Sequence, residues 1–296
     1  MRMRPLLLII SSFSRALAVL GCAACISTAY AQDGPSPPWI KDPGIKVYRD
    51  KYQAGTAHKA FAVAESGQFG WSEKRDSAGK AAQRALFDCI QQATTGRCYL
   101  FSVDGNVVID LYQIAVSDTA AVLSRMGPPR QPTNADETKD TGLAPTYDPR
   151  VTKLRAPTPP TSPYALTITT GALAEALVDK NPPTLLDVSE PGKEYKRNVI
   201  PGATWLGGAG LHDEKTNAQI DRYLAQVMGQ ITTQKEKPVV VYCADWQCWE
   251  AYNAMQRLYI LGYRKLYWYR GGMASWAKAG LPVVQVPLAA QVRPLK

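Results

Sequence analysis

Short apolar runs alternate with segments of helical period along the C-terminal part of the chain. The strand-like runs lie at 185–188, 238–242 and 265–269, and the helix-like segments lie at 171–179, 222–232 and 249–261. Two parallel strands need a long connection between them, and a helix usually supplies it. The alternation therefore predicts an α/β fold for residues 164–287, with a parallel sheet flanked by helices.

A second pattern, which mixes strands with one helix, covers about residues 40–125. Residues 60–64 form an apolar run that is typical of a short strand. Asp76 or Ser77 can cap the helix that follows, and residues 104–106 form a turn signal between two further strands. This order predicts a small α+β domain in front of the α/β domain.

The two predicted domains are joined by a proline-rich stretch. Residues 126–163 contain nine prolines and a single aromatic residue, Tyr147. Such a segment buries too little apolar surface to offset the conformational entropy that folding removes. We expect it to be an extended, semi-rigid linker.

The N-terminus has the features of a secretory signal peptide. Residues 1–31 start with two arginines, continue with an apolar stretch and end in Ala29-Tyr30-Ala31, which has small residues where signal peptidase cleaves. Arg15 interrupts the apolar stretch, which argues against a membrane anchor, and Cys22 offers a lipoprotein start as an alternative. We expect cleavage after Ala31 and a soluble protein in an oxidising compartment, the bacterial periplasm, without stable membrane insertion.

Charge and histidine content exclude two classes of function. The formal net charge is +9, and removal of residues 1–31 leaves 31 basic against 25 acidic residues. The basic residues are scattered rather than clustered, so nucleic acid is not an expected partner. The two histidines, His58 and His212, lie far apart in the sequence. We therefore expect no metal site built on histidine.

Four cysteines remain after signal cleavage, in two close pairs. They are Cys89, Cys98, Cys243 and Cys248, and they allow three disulfide connectivities. Pairing within each neighbouring set is the simplest arrangement. A Cys89–Cys98 disulfide would join a helix end to a strand start and stabilise a small domain by about 3 kcal/mol. A redox role for this first pair is the alternative, although nothing nearby is typical of an activated thiol.

Several C-terminal segments resemble the rhodanese family in their order and spacing. They are 185–188, 200–203, 239–243 and 269–273, followed by Trp276 and 279–283. The resemblance implies a nucleophilic cysteine after a strand, here Cys243, that carries sulfur as a persulfide and passes it to a thiol or cyanide. It implies neither a metal nor a cofactor. Independently, the backbone N–H groups of such a loop and the positive end of the next helix would favour a thiolate at Cys243.

The loop after Cys243 departs from the usual family pattern. It reads Ala244, Asp245, Trp246 and Gln247, without the arginine and glycine that bind an anionic donor. Thiosulfate would therefore meet an unfavourable field. Arg270, at the end of a neighbouring strand, could supply the missing cation. Asp187 could orient the loop or satisfy local backbone donors.

Cys248 and Trp249 form the second departure. A cysteine followed by tryptophan resembles a periplasmic subgroup with a Cys-x-x-Cys-Trp motif that is associated with alcohol catabolism dependent on pyrroloquinoline quinone. The spacing here, with four residues between the cysteines, is wider than that motif.

Three interpretations of the Cys243/Cys248 pair remain open. Cys243 carries sulfur and Cys248 resolves the persulfide, or the two exchange a disulfide with a partner, or the pair locks a non-catalytic binding module. A disulfide requires Cα atoms within about 4.4–6.8 Å. The expected partners are a small sulfur donor, a thiol acceptor and a periplasmic protein.

Overall fold

The computed structural model describes residues 35–94, 97–288 and 290–291. The helices are α1 Asp42–Val47, α2 Ala78–Gln92, α3 Leu111–Leu123, α4 Ala135–Thr138, α5 Thr170–Leu177, α6 Asn217–Ile231, α7 Trp249–Ile260 and α8 Gly272–Lys278. The strands are β1 Ala60–Ala64, β2 Phe69–Ser72, β3 Arg97–Val103, β4 Asn106–Val107, β5 Leu166–Thr167, β6 Thr184–Asp187, β7 Lys196–Val199, β8 Ala203–Trp205, β9 Val239–Tyr242, β10 Leu266–Tyr269, β11 Val284–Pro287 and β12 Ala290–Gln291. The predicted signal peptide, with Cys22, lies outside the described residues. Among the helices just given, none combines the length and hydropathy that a membrane span needs.

Five parallel strands form the C-terminal sheet in the order β5-β10-β9-β6-β8. Strands β6 and β9 lie at its centre, and every residue in them is buried. Apolar runs without alternation are the expected pattern for strands covered on both faces. The structure thus confirms the predicted α/β fold with a parallel sheet flanked by helices.

Helices α6 and α7 illustrate how the periodicity maps onto packing. In α6, Leu224, Val227 and Met228 are buried, as the helical spacing predicts. The helix begins at Asn217, five residues before the predicted start at 222. In α7, by contrast, nine of twelve residues are buried. Residues 146–150 cover the outer side of this helix. There the Asn253 side chain accepts a hydrogen bond from the Arg150 amide, and the Tyr252 hydroxyl accepts one from the Thr146 amide.

An antiparallel sheet forms the N-terminal region, with β1 between β2 and β3 and with β4 paired to β3. Helix α2 packs on it so closely that a Cβ atom at Gly70 would lie 2.2 Å from the Ala85 carbonyl oxygen. Ser77 caps this helix by accepting a hydrogen bond from the Lys80 amide. The sheet and helix confirm the predicted α+β arrangement.

The disulfide Cys89–Cys98 joins the end of α2 to β3, with a Cα–Cα distance of 6.2 Å. Both cysteines are fully buried in the apolar core. This confirms the predicted pairing of the first two cysteines. It also links the two elements that form most of the N-terminal core.

Several elements escaped the sequence analysis. Helix α1 and the π-helical turn after it bring Tyr48 and Tyr52 against Phe61 and Phe101, which makes a separate aromatic cluster. Strand β12, only two residues long, returns from the C-terminal end and pairs with β3. Two residues carry no period, so a strand of this length has no sequence signal.

Residues 126–163 are irregular apart from α4, but they pack against the C-terminal sheet region. Glu137 is fully buried and accepts a hydrogen bond from the Thr170 amide. Asn134 donates to the Ser275 carbonyl. The chain from Pro35 onward forms one compact unit. The domain limits 40–125 and 164–287 stay predictions, and the proline-rich segment between them follows the surface of its neighbour.

Candidate active site

The two C-terminal cysteines flank a loop at the carboxyl end of a central strand. Cys243 follows β9 directly, and Cys248 immediately precedes α7. The two form a disulfide with a Cα–Cα distance of 6.2 Å, and their side chains are 3% and 1% exposed. Cys243 thus lies at the end of a strand and Cys248 just before a helix, as the sequence predicts, and a disulfide bond links them.

The start of α8 forms hydrogen bonds with the first two residues of this loop, Cys243 and Ala244. The Met273 amide donates to the Cys243 carbonyl at 3.1 Å, and the Ala274 amide donates to the Ala244 carbonyl at 2.9 Å. The close approach depends on Gly272, which has a φ of 57° and where a Cβ atom would lie 2.3 Å from the Cys243 oxygen. Glycine is required there both for the positive φ and for the space.

A buried carboxyl group, that of Glu250, lies beside both sulfur atoms. Its Oε2 atom is 3.4 Å from Cys243 Sγ and 3.5 Å from Cys248 Sγ, and it accepts a hydrogen bond from the Glu190 amide at 3.0 Å. Burial raises the pKa of Glu250 from 4.5 to about 7, although the Glu190 amide acts in the opposite direction. This group is therefore part protonated and part ionised near neutral pH.

Asp187 fixes the turn that presents the Glu190 amide to Glu250. Its Oδ1 atom accepts hydrogen bonds from the Ser189 amide at 3.0 Å and from the Ser189 hydroxyl at 2.5 Å. The Arg197 guanidinium lies 3.3 Å from Oδ2 without an aligned hydrogen bond. Burial raises the pKa of Asp187 and Arg197 opposes that change. Asp187 thus holds the turn through Ser189, while Arg197 and Tyr242 are its other side-chain partners.

Residues 154–158, called the covering segment below, lie across the outer side of the loop. The Ala156 amide donates to the Gln247 carbonyl and the Trp249 amide donates to the Leu154 carbonyl, both at 2.9 Å. The amide at the start of α7 is therefore directed at the covering segment rather than at a sulfur atom. Stabilisation of a Cys243 thiolate by the other loop amides and the helix start stays a prediction, because Cys243 is bonded to Cys248 in this structure.

Side chains add a second layer of contacts between the covering segment and the loop. Arg155 forms an ion pair with Asp245 at 2.6 Å, and Asp245 also accepts from the Gln247 amide at 2.8 Å. The Thr158 hydroxyl donates to the Trp246 carbonyl at 2.6 Å. Apart from Ala244, every residue between the two cysteines thus forms a hydrogen bond or an ion pair with the covering segment or within the loop.

Arg270 is buried behind Trp246 rather than open to an incoming anion. Its guanidinium donates to the carbonyl oxygens of Glu137, Lys139 and Thr158, at 3.3, 2.8 and 3.0 Å. It lies 5.8 Å from the centre of the Trp246 ring, whose other cationic neighbour is Lys139 at 4.4 Å. Burial lowers the pKa of Arg270. Because the Arg270 guanidinium donates to backbone carbonyl oxygens, it holds residues 137–139 and Thr158 next to the loop.

Residues 170–279 match the family described as the rhodanese-like domain. They form a rhodanese-like domain. A sulfurtransferase of Allochromatium vinosum is 29% identical over 114 residues, which are 38% of this chain and 89% of that protein. The rhodanese resemblance is thereby confirmed, whereas the association with quinone-dependent alcohol oxidation stays a prediction.

Two solved structures each match about two fifths of the chain. The polysulfide-sulfur transferase homodimer of Wolinella succinogenes matches at 23% identity and a TM-score of 0.30, over 40% of this chain and 78% of that one. The complex of EanB with hercynine matches at 20% identity and a TM-score of 0.30, over 41% of this chain and 31% of that one.

Within the rhodanese-like domain, sequence reasoning missed Glu250. The two sulfur atoms and one oxygen of Glu250 lie within 4.8 Å of one another, a grouping of potential metal donors. Only after reduction of the disulfide could the sulfurs act as thiolate ligands. One signal was available in the sequence: an acidic residue two positions after the second cysteine, at the start of a helix. Such a residue is usually solvent-exposed, because the positive helix end stabilises it there.

Proposed function

We propose that this protein is a sulfurtransferase-type enzyme in which Cys243 accepts sulfur as a persulfide and Cys248 resolves it. The observation that carries the proposal is the Cys243–Cys248 pair, bonded across a loop at the end of a central strand of a rhodanese-like domain. A sulfurtransferase relative of similar domain length adds support.

The proposed reaction runs in two steps from the reduced protein. The Cys243 thiolate attacks the outer sulfur of a donor persulfide, the donor leaves as a thiolate, and Cys243 holds the transferred sulfur. The Cys248 thiolate then attacks Cys243 Sγ, the outer sulfur leaves as hydrosulfide, and the disulfide forms. A partner dithiol restores the two thiols and is itself oxidised to a disulfide. Transfer of the outer sulfur to an acceptor thiol instead returns Cys243 directly.

The charges around the loop favour a thiol persulfide over thiosulfate as the donor. A carboxyl group lies beside both sulfurs, Asp245 is held by Arg155, and Arg270 is engaged by backbone carbonyls. A dianionic donor would gain little from this environment. The donor class is thus a weakly charged persulfide, either a small molecule or a protein.

Mass spectrometry of the reduced protein, incubated with a thiol persulfide, tests the proposal. We expect a gain of one sulfur atom that persists in Cys248→Ser, is transient in the wild type because Cys248 resolves it, and is absent from Cys243→Ser. Cys89 and Cys98 stay bridged and serve as an internal control. Absence of any adduct from persulfide, polysulfide or thiosulfate would instead favour a non-catalytic module that binds another periplasmic protein, such as a component of a quinone-dependent oxidation system.

Thiol–disulfide exchange with a partner protein is the second candidate function. The disulfide itself favours it, together with the carboxyl group that contacts both sulfurs. Oxidation of the reduced cysteines by a partner disulfide, which becomes a dithiol, with loss of two hydrogen atoms from this protein, without any sulfur donor and reversed by a dithiol, would support exchange and count against sulfur transfer.

For the location, we propose the periplasm, with release of residues 1–31 by signal peptidase. N-terminal sequencing of the protein from the periplasmic fraction should start at Gln32. A lipid-modified start at Cys22, or an intact Met1 in the membrane fraction, would contradict this.

A further inference from the structure

We propose that Glu250 is the catalytic acid–base residue that delivers protons to Cys243 and Cys248 and removes them. This deepens the proposed function and rests on the two cysteines cycling between dithiol and disulfide. Nothing in the rhodanese resemblance or in the matched relatives assigns a role to this residue.

The geometry around Glu250 Oε2 supports transfer in both directions. One oxygen atom lies 3.4 and 3.5 Å from the two sulfurs. A disulfide sulfur carries no hydrogen, so in the oxidised state only a protonated carboxyl can supply a hydrogen to this contact. After reduction, the thiols can donate to an ionised carboxylate over the same distance. The atom is therefore placed to serve whichever sulfur gains or loses a proton.

The surroundings keep Glu250 able to change its protonation state near neutral pH. Glu190 and Asp187 disfavour its ionised form, whereas Arg155 of the covering segment and the Glu190 amide favour it. Burial outweighs these contributions and raises the pKa of Glu250 to about 7. A general acid or base is most effective when its pKa is close to the working pH.

The proton then has a defined path in each half of the cycle. During resolution, Glu250 carboxylate takes the Cys248 thiol proton, Cys248 attacks Cys243 Sγ, the persulfide S–S bond breaks, and the leaving hydrosulfide can take the proton. During reduction, a partner thiolate attacks one sulfur, the Cys243–Cys248 bond breaks, and Glu250 donates its proton to the sulfur that leaves. The partner's second thiol completes the two-electron reduction.

Reduction kinetics with dithiothreitol test the role without any sulfur donor. The rate constant is measured across pH by thiol trapping and mass spectrometry and is divided by the dithiothreitol thiolate concentration. For the wild type we expect it to fall about tenfold from about pH 6 to about pH 8, as Glu250 loses its proton. Glu250→Gln should be at least about tenfold slower than the wild type at about pH 6 and nearly flat across this range. Glu250→Asp keeps a carboxyl group, so its rate constant should again decrease with pH, by less than that of the wild type.

Glu175→Gln is the matched control, because Glu175 is an exposed glutamate on α5, and it should follow the wild type. A wild-type profile in folded Glu250→Gln would overturn the proposal. If that variant does not fold, infrared titration of the protonated carboxyl band in the wild type decides. A titration midpoint of this band near pH 7 that changes on reduction of the disulfide supports the role. A midpoint below about pH 5 in both the oxidised and the reduced protein overturns it. Because no sulfur donor is used, failure of persulfide formation leaves this result unaffected.

Discussion

Burial of Glu250 makes a prediction about stability that is independent of catalysis. The pKa of Glu250 is about 7 in the folded protein against 4.5 for an unperturbed carboxyl, so the folded state binds this proton more tightly. Linkage then requires stability to fall as pH rises from about 4.5 to about 7, by up to about 3 kcal/mol. In Glu250→Gln, which imitates the neutral form, this loss should be absent.

Urea unfolding of both proteins without reductant measures the effect. The difference between them should grow in favour of Glu250→Gln up to about pH 7 and then stay constant, since other groups cancel in the comparison. A difference that does not change with pH would show that folding leaves the pKa of Glu250 at its unperturbed value.

The same residue shows where sequence reasoning ends at the scale of single side chains. Cys243, Cys248 and Trp249 are placed by a strand pattern and a helix pattern that meet at the loop, so local signals predict them. Burial of Glu250 comes from the turn at Ser189–Glu190 and from the covering segment, which lie far from it in the sequence. No local pattern contains that information.

At the scale of elements, the covering segment lies across the loop that holds the disulfide, and we expect it to limit access of a reductant. Its Arg155–Asp245 ion pair is part exposed, with side chains 55% and 24% accessible, and such pairs contribute about 0.2–1 kcal/mol. Arg155→Ala should therefore leave global stability nearly unchanged and should release the segment locally. We expect reduction of the Cys243–Cys248 disulfide by dithiothreitol to become roughly two- to fivefold faster at about pH 6, where Glu250 is mostly protonated.

Arg84→Ala provides the matched comparison for this measurement. Arg84 pairs with Asp88 on α2 at 2.9 Å with similar exposure, 50% and 26%. Its removal should not alter the reduction rate. An equal effect of the two variants would indicate general loosening of the fold, and no effect of Arg155→Ala would place the access route elsewhere.

Proline content predicted the irregular backbone of residues 126–163 but not their packing. A high proline content disfavours helices and strands, whereas the contacts of this segment depend on partners such as Arg270 and Asn253. Both partners were visible in the sequence only as residues of other elements. Tertiary hydrogen bonds of this kind follow from the assembled fold.

At the scale of the whole molecule, the N-terminal region contacts both the rhodanese-like domain and the segment that follows it. Strand β12 pairs with β3, the Lys80 ammonium pairs with Glu190, and the Tyr112 hydroxyl donates to the Leu288 carbonyl. The Gln83 side chain donates to the Gly207 carbonyl. These contacts predict that the two regions unfold together, although the composition of the chain indicates separate domains at 40–125 and 164–287.

Removal of the Cys89–Cys98 disulfide tests this coupling. The variant Cys89→Ala with Cys98→Ala loses a constraint that closes a short loop, which contributes about 3 kcal/mol. If the regions are coupled, the midpoint of a single urea transition falls for both. Fluorescence of Trp71 in β2 reports on the N-terminal sheet, and fluorescence of Trp268 in β10 reports on the rhodanese-like domain. Each tryptophan is kept as the only one in its own background, and each background is measured with and without the disulfide. An N-terminal transition that falls while the Trp268 signal keeps its midpoint would mean that the rhodanese-like domain is stable by itself. In that case, β12 and the proline-rich segment would tether the N-terminal sheet without stabilising it.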